Sequence, residues 1–132
     1  GMTTTIPGEE VSDWTKHIRV QNTGDYSCYV RVKVFAGSQL EGRLSFSDES
    51  GKWTPGADDY YYYSDIVAPG ESSDEMQIKI DSTGLDQDFN VIVVQECTPV
   101  LYDENGNPYA DWNAVADSTE SSYTEADGEV AE

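Results

Sequence analysis

The stretch that decides the fold is Tyr26-Ser27-Cys28-Tyr29-Val30-Arg31-Val32-Lys33-Val34-Phe35. Tyr26, Cys28, Val30, Val32 and Val34 recur at every second position, and Tyr29, Arg31, Lys33 and Phe35 fill the gaps. A period of two over ten residues is the pattern of a β-strand with one face in a core and one toward solvent. A helix would bring its apolar residues back every three or four positions instead.

The same period recurs on both sides. Upstream, Ile18 and Val20 alternate with polar residues in His17–Asn22, and Asn22-Thr23-Gly24-Asp25 reads as the turn into the next strand. Downstream, Leu44 and Phe46 are in phase over Arg43–Ser47. Residues 51–59 read as a loop, and Tyr60–Val67 as extended, aromatic-rich chain. Ala68-Pro69-Gly70-Glu71 is a turn before the alternating Met76, Ile78 and Ile80. Phe89–Cys97 holds the most apolar run, and Val91-Ile92-Val93-Val94 predicts a central strand buried on both faces. Asn105-Gly106 suits a two-residue type I′ hairpin turn. Short strands broken by turns every ten or so residues predict an all-β antiparallel sandwich, of jelly-roll or Ig-like kind, or a barrel, over residues 6–113.

The 132 residues suit one domain. They carry 26 acids against 7 bases, a net charge of −19, unevenly spread. Residues 1–80 sum to −6, and residues 81–132, without a single Lys or Arg, to −13. From 114 to 132 the chain is mostly Ser, Thr, Ala and acid, which predicts a disordered, flexible acidic tail or linker. Such a field repels phosphate backbones and anionic lipid, so nucleic acid is excluded as a partner. No run reaches the roughly 18–20 apolar residues of a membrane helix. Gly1-Met2-Thr3 shows no signal peptide, and Gly1 before Met2 reads as a cleavage scar, so a leader is expected to have been removed.

Catalytic chemistry finds little to use. His17 is the only histidine, and there is no Gly-x-Ser-x-Gly elbow and no His-Glu-x-x-His helix. The sequence therefore predicts a protein that is not an enzyme, with no catalytic residue, no resident metal and no cofactor. Asp103, Asn105, Asn107 and Asp111 form an oxygen-rich run, a weak calcium candidate that a hairpin turn explains better. Cys28 and Cys97 each fall in phase with core positions, which leaves either a disulfide between the two sheets or two buried thiols. Tyr60-Tyr61-Tyr62-Tyr63 cannot all face inward in a strand. Two of them, with Trp53 and Trp112, are candidates for an exposed platform for sugar rings or another chain, or for packing on their own loops.

Three stretches together carry a resemblance. Ile6-Pro7-Gly8-Glu9 leads to Val20-Gln21-Asn22-Thr23-Gly24 and Cys28-Tyr29-Val30-Arg31-Val32. Trp53 is followed by Tyr60–Tyr63 and Ala68-Pro69-Gly70-Glu71, and Phe89–Glu96 leads to Trp112. Over roughly residues 6–112 this order resembles the TasA/camelysin group of SipW-dependent exported proteins of Gram-positive bacteria. The resemblance implies a jelly-roll-like sandwich, an extracellular or cell-wall location, and a role in biofilm matrix fibres or as a surface protein. Its partners would be other proteins or copies of itself, with a glycan as the alternative. The metalloprotease label of some relatives has no support here, given one histidine and no zinc motif.

Overall fold

The computed structural model describes residues 2–6, 11–85, 89–115 and 119–130, with side chains described within 14–85 and 89–115. Ten strands make up nearly all of its regular structure: β1 (Met2–Ile6), β2 (Val11–Asn22), β3 (Cys28–Ala36), β4 (Leu44–Ser47), β5 (Trp53–Pro55), β6 (Tyr60–Tyr63), β7 (Met76–Asp81), β8 (Phe89–Tyr102), β9 (Pro108–Ala110) and β10 (Thr119–Val130). One short 3-10 turn, Ser38–Leu40, tucks Leu40 into the core.

The strands form two antiparallel sheets. One runs β1-β8-β3-β6-β5, with β9 paired to the far end of β8; the other runs β10-β2-β7-β4. The fold is thus the all-β sandwich that the alternation predicts. Its core is the set of residues on the inner period: Ile18 and Val20 from β2, Val30 and Val32 from β3, Met76, Ile78 and Ile80 from β7, and Val91 and Val93 from β8. Fully burying each such side chain is worth about 1.5–3 kcal/mol.

Lys16 shares the inner face of β2 with Ile18 and Val20 and is fully buried. Its ammonium donates to the carbonyl of Val91 at 3.4 Å, across the gap between the sheets. Burial disfavours its charge and lowers its pKa to about 8.

Several local expectations are corrected. Ile92 is 38% exposed between the buried Val91 and Val93, so β8 is central but buried on one face only. Antiparallel sheets need only one covered face, and the apolar run still alternates in environment. Tyr26 is 81% exposed and lies before β3, in the loop rather than in phase with Cys28. That loop is held by Asn22, whose amide donates to the carbonyls of Tyr26 (2.7 Å) and Val67 (2.9 Å) while its Oδ1 accepts the N–H of Gly24. The loop expected over 51–59 contains β5, paired with β6.

The hairpin near Asn105 is not a two-residue turn. Tyr102 faces Pro108 in the β8–β9 register, so five residues connect the strands, with Gly106 at φ +80. Within the range where an acidic tail is expected, residues 119–130 form β10, which pairs with β2 from Thr119↔Asn22 to Val130↔Val11 with two register shifts. Such a ladder is built from main-chain groups that every non-proline residue carries.

Candidate functional site

The four tyrosines of β6 split by parity. Tyr61 and Tyr63 point inward. Tyr63 is buried, packs 5.0 Å from the Trp53 ring, and donates its hydroxyl to the Asp74 carboxylate at 3.0 Å while accepting the Asp74 N–H at 3.1 Å. Trp53 is itself only 4% exposed and donates its indole N–H to the Asp74 carbonyl. Tyr61 stacks on Phe46 at 4.8 Å, closing the space between β6 and β4. These three aromatics belong to the core and its rim. The expected binding surface therefore loses Trp53, Tyr61 and Tyr63.

Tyr60 and Tyr62 point outward, as half of the four must. In register they face Lys33 and Arg31 of β3, whose side chains share that outer face. The Arg31 guanidinium lies 4.0 Å from the Tyr60 ring centroid and 4.4 Å from that of Trp112. Trp112, in the loop after β9, meets Tyr62 edge-on at 5.8 Å. Arg31 also donates to Glu96 of β8 at 3.1 Å and to the Tyr62 hydroxyl at 3.1 Å. A planar guanidinium suits this arrangement because its faces stack on rings while its edge binds a carboxylate.

The electrostatics agree with the geometry. Burial works against the Arg31 charge, but the Tyr62 hydroxyl and Glu96 more than offset it, so its pKa is raised. Hydrogen bonding to Glu96 pushes the Tyr60 phenol up, with burial adding to the effect. The Asp58 carboxylate accepts from the Tyr62 hydroxyl, which lowers its pKa. The result is a closed ring of partners: Arg31, Glu96, Tyr60, Tyr62, Trp112 and Asp58. Beside it lies an open cleft of about 510 Å³ lined by Lys33, Val34, Phe35, Leu44, Pro55 and Tyr60, among others.

The calcium candidate resolves into a hairpin loop. One oxygen of Asp103 accepts the N–H groups of Asn105 (2.8 Å) and Asn107 (2.9 Å), and the backbone bond to Asn107 is the first reason its pKa is lowered. Asp111 does the same locally for the N–H of Asn113. The loop is organised by its own amides. Among the described residues no group of three or more His, Cys, Asp or Glu is arranged to hold a metal.

Both cysteines are buried and no disulfide joins them. They lie in the same sheet, on neighbouring strands β3 and β8, so a bond between them would join two strands of one sheet, where the sequence pattern places it between sheets. His17 falls on the opposite face of β2 from Lys16 and Ile18 and places its Nδ1 3.1 Å from the Glu75 carboxylate.

Sequence reasoning missed the centre of the outer cluster, Arg31, and the two-fold role of Asp74. The first was within reach: Arg31 and Lys33 occupy the polar phase of the deciding strand, and the outward tyrosines share their face. The second depends on how residue 74 folds back on β6, which no local pattern encodes.

In class, this is a two-sheet antiparallel β-sandwich with an aromatic–arginine cluster on one outer face. Compared with family models, with curated proteins and with solved structures, the chain matches none.

Proposed function

We propose that this protein is a non-enzymatic structural or adhesive component of the cell surface or extracellular matrix, one that works through contacts between protein chains. The observation that supports this reading is how the outward aromatics are used. Tyr60 and Trp112 each have the Arg31 guanidinium over the ring, and the edge of that guanidinium is bound to Glu96 and Tyr62. The surface is stiff and internally satisfied, as suits a contact face more than a ligand cradle. Among the described residues both sheets also end in strands paired along one edge only, β1 and β5 in one and β10 and β4 in the other. Such edges accept strands from another chain, and the net charge of −19 restrains that association at neutral pH.

The test is negative-stain electron microscopy of the secreted protein between pH 4 and pH 7. Near the sequence pI of 4.1 the repulsion falls away, so ordered filaments or sheets are expected to appear as the pH drops. Monomers throughout the range would sink the assembly reading.

A second reading is a carbohydrate-binding module. It is favoured by the grouping of Tyr60, Tyr62 and Trp112 on one face. A glycan array comparing wild type with Trp112→Ala separates the two. Binding that disappears in the variant supports the module, and no binding by either protein supports the structural reading. Trp53 is unsuitable for this test because it lies in the core.

A further inference from the structure

We propose that Cys28 and Cys97 form an oxidation site, closing a disulfide that staples β3 to β8 within one sheet. The β3–β8 register places Cys28 opposite Pro99 and Cys97 opposite Val30. The two residues are therefore diagonal neighbours, and both point to the core, at 4% and 1% exposure. The sequence has no third cysteine, so the product of intramolecular oxidation is unique.

A route for a reagent exists. A cavity of about 120 Å³ is lined by both cysteines, by Pro99 and by the 24–27 loop. The thiols also interact with each other. Burial first, and then the neighbouring Cys97 with its hydrogen bond, push the Cys28 thiol up to about 12. A thiol so reluctant to ionise attacks slowly at neutral pH, because the thiolate is the nucleophile. Oxidation is thus expected to speed up as the pH rises.

Closure asks for a small movement. Diagonal pairs in antiparallel sheets are about 7–8 Å apart, and a disulfide needs Cα atoms within about 7 Å. Cys28 is the first residue of β3, directly after the loop, where the backbone is best able to move inward. Its main chain bonds Val67 in both directions, so the 67 segment would follow.

The chemistry is thiol–disulfide exchange with a small disulfide. One cysteine thiolate attacks the reagent, forming a mixed disulfide and releasing one thiolate, which takes up the proton. The second cysteine thiolate then attacks the protein sulfur of the mixed disulfide and expels the other half. The protein loses two hydrogens and two electrons, and the reagent is reduced to two thiols.

The test treats the reduced protein with 2-hydroxyethyl disulfide at mildly alkaline pH and follows intact mass, a peptide map and thermal unfolding. The expected product is monomeric and lighter by two hydrogens, with Cys28 and Cys97 in one linked peptide. Closing a loop of roughly 70 residues should raise the unfolding midpoint by about 10 °C, reversibly on adding dithiothreitol. The Cys28→Ala/Cys97→Ala variant should show no such shift. Thiols that remain alkylatable, a reaction that stops at the mixed disulfide, or a bond between two chains would each overturn the proposal, and the wild-type mass decides it even if the variant fails to fold.

Discussion

The two faces of β3 are built from one alternation but held by different forces. Inside, Val30 and Val32 are fully buried, and their energy is that of area removed from water. Outside, Arg31 is held by directional contacts: two stacked rings, a carboxylate and a phenol. An apolar face tolerates small shifts and punishes lost volume. A directional face tolerates lost volume and punishes lost geometry. Comparing substitutions on the two faces makes that difference measurable.

The largest effect is expected inside. Ile78→Ala, at a fully buried position of β7, should destabilise the protein by about 3–4 kcal/mol in urea unfolding, through lost transfer energy and a residual cavity. A loss below ~1 kcal/mol would mean that the two sheets close over the gap and that the core is less tightly packed than the burial indicates.

Lys16 tests the inner face from its polar side. Its folded pKa, about 8, lies below its ordinary 10.5. The charged form is therefore disfavoured on folding, and stability rises as the pH climbs from 8 through 10.5. Below pH 8 the full cost remains, on the order of 3 kcal/mol. Lys16→Met should therefore be more stable than wild type at pH 7, with the gap narrowing toward pH 10.5. A gap that does not change with pH would show that the ammonium keeps its proton in the core.

On the outer face the expected effects are smaller and depend on shape. Trp112→Ala should cost about 1–2 kcal/mol, since it removes one ring from the guanidinium and the edge contact to Tyr62. Arg31→Lys keeps the charge and loses the planar fork. It should cost about 1 kcal/mol, and Trp112 fluorescence should shift toward that of a wetter indole. If lysine replaces arginine without any change in stability or spectrum, the outer face is held by charge alone and the contrast with the inner face fails. Smallest of all, Asp103→Ala should barely move the urea unfolding midpoint, because the Asn105 and Asn107 amides it caps can turn to water.

Much of the inner face was legible because alternation is a local signal. Phe89, Val91, Val93 and Cys97 fall on one phase, and all four are buried. What failed were features that depend on a distant partner. Trp53 looked like a surface aromatic until Asp74, twenty-one residues on, supplied its indole with an acceptor in the core. The pairing of β10 is likewise no local signal, because its partner β2 lies roughly a hundred residues earlier. For the candidate site, the outward tyrosines were legible from parity, while the loop that brings Trp112 over Arg31 was not.

The pairing of β3 with β8 also fixes when the molecule can fold. Its register joins Cys28 to Pro99 and Ala36 to Val91, and β2 likewise waits for β7 and then for β10. Contacts between residues so far apart in sequence make folding slow, because loop closure must come before its reward. A chain emerging from its N-terminal end can pair β2 with β7 by residue 81, but it cannot join β3 to β8 until roughly three quarters of its length is free. Up to that point β3 lacks its longest partner. The acids that dominate its last fifty residues arrive in the same interval in which those strands are most exposed to one another.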